Sequence, residues 1–136
     1  MRPAFLFALL GLVACDGAAP SLTDGLAHRG ISVEVDARTV ARGDTLGARV
    51  VNNSGERYTT GICYLVERLE NGRWGTRDGD NGGCVFIAFN VADGAAFDKP
   101  FRANVAPGTI RLVERWDGQG DRRRVFVASP SIRVME

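Results

Sequence analysis

The chain has 136 residues, a formal net charge of +1 and 45% hydrophobic residues. This length fits one domain, and the apolar content is ordinary for a globular protein. A charge near zero argues against a protein that is drawn to nucleic acid by its overall field.

The N-terminus has the organisation of an export signal. Arg2 is followed by an uncharged apolar run over residues 5–13, which is too short to span a bilayer by itself. The run ends in Leu12-Val13-Ala14-Cys15. This motif resembles the lipobox of bacterial lipoproteins, in which a signal peptidase cuts before a cysteine that carries the lipid.

The lipobox resemblance implies a signal peptide over residues 1–14 and acylation of Cys15, for example by palmitate. Several acyl chains give stable anchoring to a membrane. The expected location is the bacterial cell envelope, with the domain facing the periplasm or the cell exterior. Two alternatives remain open: an ordinary secretory leader with a chance cysteine, and an uncleaved anchor.

Residues 15–30 are rich in Ala, Gly and polar residues, and they predict a flexible tether. Asp16 resembles the inner-membrane retention residue of enterobacterial lipoproteins, a rule that varies between bacterial groups. His28, the only histidine, lies on this tether. A histidine-rich metal site or a Ser–His–Asp triad inside the folded domain is therefore hard to build. We expect no catalytic residue, no metal and no cofactor.

Residues 31–136 predict an all-β domain with an immunoglobulin-like antiparallel β-sandwich of seven to nine strands. Apolar residues alternate with polar ones between turn signals at regular spacing, which is typical of sandwiches and barrels. The alternating rows are Ile31, Val33 and Val35; Leu46, Ala48 and Val50; Val85, Ile87 and Phe89; Phe97, Lys99, Phe101 and Ala103; Ile110, Leu112 and Trp116; Val125 and Val127; Ile132 and Val134.

Some residues interrupt these rows. Glu114 falls within the inward row of the strand that contains Leu112. Pro100 predicts an edge or a bulge, and Pro130 predicts a break or a change of sheet.

Asn71-Gly72 between apolar runs predicts a β-hairpin with a type I′ turn. This register places Glu70 opposite Arg73 and Leu69 opposite Trp74.

Cys63 and Leu65 share the face of Leu69 and Trp74, and we expect that face to point inward. Glu67 lies on the same face. Either the strand end is half exposed or a bulge shifts it.

Cys63 and Cys84 form an even pair in an exported chain, which predicts a disulfide bond. A bond that closes a loop of about twenty residues stabilises by roughly 3 kcal/mol. The alternative is two free buried thiols. Without a histidine nearby in sequence, the pair makes a poor zinc site.

Four motifs in order resemble bacterial Ig-like domains: Gly43-Asp44-Thr45 with Val51-Asn52-Asn53-Ser54-Gly55, then Tyr64-Leu65-Val66-Glu67-Arg68 with Asn71-Gly72-Arg73-Trp74, then Pro107-Gly108-Thr109-Ile110-Arg111-Leu112-Val113, and finally Ser129-Pro130-Ser131-Ile132-Arg133-Val134. Ile110 replaces the usual tyrosine, and Ile132 replaces the usual phenylalanine. The family includes the bacterial intracellular proteinase-inhibitor type and many lipoproteins. The resemblance implies a sandwich and not one activity.

Three other features are interpreted as structural. Residues 78–83 resemble the start of a calcium loop, but Phe89 stands where an EF-hand needs an acid, so a solvated turn is predicted. The cluster of Arg122, Arg123 and Arg124 is interpreted as a solvated hairpin rim, with an anionic lipid headgroup or polysaccharide as the alternative. Trp74 and Trp116 are expected to be core anchors rather than a platform for sugars.

The sequence thus predicts a non-catalytic, membrane-anchored envelope lipoprotein that acts as a binding or structural module. Its expected partners are the lipid bilayer, through acylated Cys15, and an unknown envelope protein or polysaccharide, but not nucleic acid. The alternative is a peptidase inhibitor that presents residues 78–83 to a protease. That loop has no apolar residue at its tip, so this alternative ranks second.

Overall fold

The computed structural model describes residues 30–77, 87–118 and 124–136, which contain thirteen strands and no helix. The predicted all-β class is confirmed. In chain order the strands are β1 (Ile31–Val35), β2 (Thr39–Ala41), β3 (Thr45–Leu46), β4 (Ala48–Asn52), β5 (Tyr58–Gly61), β6 (Leu65–Glu70), β7 (Arg73–Thr76), β8 (Ala88–Val91), β9 (Ala96–Asp98), β10 (Phe101–Arg102), β11 (Gly108–Gly118), β12 (Arg124–Ala128) and β13 (Ile132–Met135).

The largest sheet is organised around β11, whose eleven residues make it the longest strand described. Trp116 pairs with Thr60 of β5 and with Val125 of β12, so these two strands lie on opposite edges of β11. Strand β6 follows β5 along one edge, and β13 follows β12 along the other. Strand β7 continues the sheet beyond β6, and β8 continues it beyond β5.

The predicted count of seven to nine strands is wrong, because β2 and β5 lie outside the predicted rows, and because Gly47 and residues 99–100 each divide a predicted row into two strands. Residues 62–64 separate β5 from β6, and residues 129–131 separate β12 from β13. At the second break the Ser129 N–H donates to the Leu112 carbonyl at 2.7 Å, and the Ser129 hydroxyl accepts from the Leu112 N–H at 2.9 Å. The break predicted at Pro130 is therefore confirmed.

Two smaller sheets complete the described fold: β1, β4 and β9 form one, and β3 and β10 form the other. All pairs are antiparallel except β2 with β13, which run parallel. The predicted antiparallel pairing is therefore found in every described pair except this one.

The β1–β4–β9 sheet and the β11 sheet contribute to one buried hydrophobic cluster. The alternating rows predicted this burial correctly on β1, β4, β11 and β13. The most deeply buried members of these rows are Ile31, Val33, Leu46, Val50, Ile110, Leu112, Ile132 and Val134.

The hairpin prediction is right in its turn and register but wrong in its face. Asn71 and Gly72 have φ values of 51° and 74°, and Leu69 pairs with Trp74. The core side chain of β6 is Val66 at 1% exposure, whereas Leu65 and Leu69 are 37% and 38% exposed. Because β6 carries apolar residues on both faces, its alternation cannot show which face is inward.

Several predicted residues lie outside the described part of the chain: Cys15, Asp16, His28, residues 78–83, Cys84, Arg122, Arg123 and the side chains of Trp116, Arg124 and Val125. The domain limits at residues 14 and 30 therefore stay predictions. None of the described segments is a helix with the length and apolar character needed to cross a bilayer.

Candidate functional site

Glu114, which interrupts the inward row of β11, is completely buried. One carboxylate oxygen contacts the ammonium of Lys99, and the other accepts a hydrogen bond from the Thr60 hydroxyl. The Lys99 Nζ also donates to the Cys63 carbonyl at 2.8 Å. Lys99 is itself only 2% exposed, so this charge pair lies inside the protein core.

Tyr64 closes the same cluster. The Lys99 Nζ lies 4.2 Å from the centre of the Tyr64 ring, a distance at which a cation is attracted to an aromatic face. The Tyr64 hydroxyl is the one buried side-chain polar atom of the described residues that has no hydrogen-bond partner. The charged groups of the cluster therefore have hydrogen-bond partners, whereas the Tyr64 hydroxyl has none.

Burial controls the protonation of the Lys99–Glu114 cluster. It raises the pKa of Glu114 to about 7, against the opposing effect of the Lys99 charge and its hydrogen bond. Burial also lowers the pKa of Lys99, although Glu114 acts in the other direction. The pKa of Tyr64 is raised by burial and by the nearby Glu114 carboxylate. Because neither charged group reaches solvent, we assign this cluster to the stability of the core.

Glu67 has a different environment on the opposite face of the β11 sheet. Its Oε2 accepts from the Arg111 Nε at 2.6 Å and lies 2.5 Å from Arg111 Nη2. Both side chains are buried. The explanation of Glu67 by a bulge is wrong, because the β6–β11 register is unbroken there. The strand end is partly exposed at Leu69, at 38%, but Glu67 itself is only 3% exposed. The Arg111 guanidinium on the neighbouring strand neutralises the carboxylate, which is why Glu67 can lie on an otherwise apolar face.

Trp74 lies over the Glu67–Arg111 pair. The Arg111 Cζ is 4.4 Å from the centre of the indole, so the guanidinium stacks on the ring. Trp74 is half-buried and does not belong to the core cluster. The interpretation of Trp74 as a core anchor is therefore wrong, because the hairpin turns this face away from the core.

A groove of about 530 Å³ follows the hairpin, and its paired residues Arg68, Glu70 and Arg73 lie on the face opposite the Trp74 ring. Its lining includes three arginines and one carboxylate, together with the turn residue and small residues of β7. The lining residues are Arg68, Glu70, Asn71, Arg73, Trp74, Gly75, Thr76 and Arg77.

Arg68 forms the buried wall of this groove. Its guanidinium donates to the carbonyls of Ala106 at 2.9 Å and Pro107 at 3.1 Å. A Cβ at position 108 would lie 2.7 Å from the Arg68 Nη1, so Gly108, with a φ of 140°, leaves room for this side chain. The fold thus holds Arg68 in one position.

The rim of the groove is more exposed. Arg77 forms an ion pair with Glu70 at 3.2 Å, and both side chains are more than half exposed. Such a pair contributes little stability. Arg73 is also exposed and pairs with Glu70 across the hairpin. The rim therefore offers charged groups that are free to rearrange around a ligand.

A second groove, of about 450 Å³, lies between β1, β4 and the segment after β9. It includes Asp36, Asp98 and the exposed ion pair of Glu34 with Arg49. Residues 30–77, 87–118 and 124–136 contain no group of three or more side chains that could hold a metal ion.

Only one cysteine of the predicted disulfide lies within the described residues. Cys63 is half-buried next to Tyr64 and is not a free thiol. Its predicted partner, Cys84, lies outside the described residues, so the pairing of Cys63 with Cys84 stays a prediction.

The outer face of the hairpin is the strongest candidate site, because it presents the Trp74 ring together with the exposed side chains of Leu65 and Leu69. Sequence reasoning found the hairpin but missed Arg111 as the partner of Glu67. The signal was present: Glu67 breaks an apolar face, which implies a cation on the neighbouring strand. Comparisons with protein families, with curated proteins and with solved structures found no match for this chain.

Proposed function

We propose that this protein is a non-catalytic, lipid-anchored lipoprotein of the bacterial cell envelope whose β-domain binds a partner through the outer face of the β6–β7 hairpin. The observation that carries the binding role is the position of Trp74, which lies outside the core over the buried Glu67–Arg111 pair. The Ig-like sandwich is part of the same proposal, and the two sheets that share one core support it.

The composition of the hairpin face supports binding. Leu65 and Leu69 are large apolar residues that remain more than one third exposed beside Trp74. Tryptophan and arginine are the residues most enriched where proteins bind their partners, and a fixed ring gives contact area at low entropic cost. Burying such a ring in the core would have been the simpler solution for stability alone.

The anchor is supported by the sequence. Cys15 directly follows the apolar run and the Leu12-Val13-Ala14 motif, and a polar tether separates it from β1. Lipid attachment would hold the hairpin face near other envelope components, so that even a weak site is occupied at high local concentration.

A labelling experiment tests the anchor. The full chain is expressed in a bacterial host with a radiolabelled fatty acid, and the Cys15→Ala variant serves as the matched control. We expect label and membrane retention in the parent chain and neither in the variant. Label or membrane retention that persists in Cys15→Ala contradicts the anchor.

Site-specific crosslinking tests the binding face. A photoreactive residue is placed at Thr76, which is exposed two residues after Trp74 on β7, or at Ser32, which is exposed on β1. We expect envelope adducts from position 76 that disappear in the Trp74→Ala background and persist with Met135→Ala. Equal adducts from positions 76 and 32, or none from position 76, contradict the binding role of the hairpin.

A further inference from the structure

We propose that the outer face of the β11 sheet, which contains the Trp74 ring, docks on the anionic headgroup region of the membrane that holds the lipid anchor. The inference rests on the proposed function, because it takes both the Cys15 anchor and the hairpin face from it. It adds the partner of that face, which is a lipid surface. Three features of the chain support it: the side chains of the face, their charge and the length of the tether.

The strand registers place an apolar patch on this outer face, which turns away from the core. Because paired residues of neighbouring strands point to the same side of a sheet, the face runs from β7 through β6 and β11 to β12. The apolar members of the patch are Leu65, Leu69, Trp74, Val113, Phe126 and Ala128. Val113 is only 2% exposed although it does not belong to the core cluster, so its neighbours on the outer face cover it.

The patch is broad rather than concentrated at one point. Leu69 directly follows the residue that pairs with Ile110, and Phe126 pairs with Arg115. The patch therefore extends for roughly 20 Å along the strands. Protein partners concentrate their binding energy in a central, tightly packed pocket. A lipid surface instead accepts separate apolar side chains over a wide area, and tryptophan is favoured at the boundary between headgroups and acyl chains.

The charge of the face favours an anionic surface. Glu67 is the only carboxylate among the described side chains of this face, and Arg111 neutralises it. Arg115 of β11 and Arg133 of β13, which pairs with Thr109 on the same face, are both exposed. Cationic side chains are attracted to anionic headgroups. A second copy of the chain would bring the same positive charges together, which disfavours self-association through this face.

The tether places the membrane within reach of this face. Residues 16–30 lie between Cys15 and β1, and a segment of that length spans at most about 50 Å. A domain of about 100 residues has a radius of gyration of about 13 Å, so the tether allows any side of the domain to meet the bilayer. The side chains then decide which side docks. Because the anchor makes docking intramolecular, weak contacts suffice.

Fluorescence quenching tests the docking. The acylated full chain is inserted through its anchor into vesicles of phosphatidylglycerol and phosphatidylcholine in equal amounts, with every lipid brominated on its acyl chains close to the headgroup. The emission of the parent is compared with that of Trp74→Phe, which retains only Trp116, so the difference reports Trp74. We expect strong quenching of Trp74 in these vesicles, and much weaker quenching in brominated phosphatidylcholine alone or at high salt.

Variants locate the contact on the outer face. Leu69→Glu places a carboxylate at an exposed position of the patch, and it should remove most of the Trp74 quenching while the anchor keeps the protein on the vesicle. Arg133→Gln should lower the equilibrium constant for docking by about fivefold, because one surface cation beside anionic lipids contributes about that factor. Arg49→Gln removes the same charge from an exposed position on β4, in another sheet, and should leave the quenching unchanged.

The opposite outcomes overturn the proposal. No Trp74 quenching in the anionic vesicles rejects docking, and equal quenching in phosphatidylcholine alone rejects the selection of anionic lipids. Equal effects of Arg133→Gln and Arg49→Gln place the contact outside this face. Absent quenching, together with Trp74-dependent protein adducts from position 76 in cells, rejects the membrane as the partner and leaves the proposed function standing, whether the adduct contains a second copy or another protein. Failure of Cys15 to take up lipid label rejects both.

Discussion

Glu114 and Glu67 each interrupt an apolar row, and the fold pairs each with a cation from a neighbouring segment. Glu114 meets Lys99 inside the core, where neither group reaches solvent. Glu67 meets Arg111 on the outer face, where Trp74 covers the pair. The same local irregularity thus serves the core in one place and a surface in the other.

The difference follows from the cation and from what covers it. Lysine concentrates its charge on one ammonium, which is satisfied here by a carboxylate, a backbone carbonyl and the Tyr64 ring. Arginine is planar, so Arg111 can bind Glu67 at its edge and still carry the Trp74 indole on its face. A buried ion pair such as Lys99–Glu114 does not by itself show that the pair stabilises the fold. The Glu67–Arg111 pair supports an aromatic side chain at the protein surface.

The sharpest test of the comparison removes one partner of the core pair. Lys99→Met leaves the Glu114 carboxylate buried without its cation, and we expect a loss of about 3 to 5 kcal/mol in the free energy of unfolding. Urea denaturation of the purified full chain measures it. The double variant Lys99→Met/Glu114→Leu is the control, because it removes both charges and should recover most of the loss. A single variant as stable as the parent would show that the pair is not buried in solution.

The pH dependence of stability tests the protonation of Glu114. Its folded pKa of about 7 lies above its ordinary value of 4.5, so between these values the folded state holds a proton that the unfolded state has released. Stability from this group is complete below about pH 4.5 and is lost as the pH rises through about 7. We expect the parent to lose stability over this window relative to Glu114→Gln, as measured by denaturation at each pH. A parent that gains stability over the window relative to the variant contradicts the raised pKa.

The outer pair should matter less for stability. Arg111→Met leaves Glu67 without its cation but closer to solvent than Glu114, and we expect a loss of about 2 kcal/mol. The change also removes the support below Trp74, so the indole emission should shift toward that of a solvated ring. Trp74→Phe controls for the loss of the indole alone. A larger loss for Arg111→Met than for Lys99→Met would reverse the assignment of core and surface roles.

The smallest expected effect concerns Tyr64. Its hydroxyl is buried without a hydrogen-bond partner, so Tyr64→Phe removes an unsatisfied group and keeps the ring beside Lys99. We expect stability to be unchanged or raised by up to about 1 kcal/mol. Thermal unfolding against Tyr64→Leu, which removes the ring as well, separates the two contributions. A clear loss in Tyr64→Phe would mean that the hydroxyl is satisfied in solution.

Local patterns predicted much of the fold. The Asn71-Gly72 turn and the pairing of Leu69 with Trp74 are confirmed because turn chemistry fixes the hairpin register. The row of Phe97, Lys99, Phe101 and Ala103 correctly placed Lys99 among inward residues. The strand count failed because β2 and β5 carry no predicted alternating row, and because Gly47 and residues 99–100 each divide a predicted row into two strands.

The candidate site was less predictable. Trp74 was placed on the correct strand and paired with the correct residue, but its face was assigned wrongly. An alternating pattern with apolar residues on both faces has two solutions that differ only in long-range packing. The choice between Val66 and Leu69 as the inward residue depends on which face meets the second sheet, and that information is not local.

The sequence by itself therefore determined the all-β class, the hairpin register and the existence of two acids in apolar rows, since alternation and turn preferences act between near neighbours. Only the tertiary structure decided that Lys99 forms an ion pair with Glu114, that Arg111 forms one with Glu67 and that Trp74 lies outside the core. Lys99 and Glu114 are 15 residues apart and Glu67 and Arg111 are 44 apart, so these contacts depend on how the strands assemble. The free energy of burying a charge then selects the assembly in which each carboxylate meets a cation.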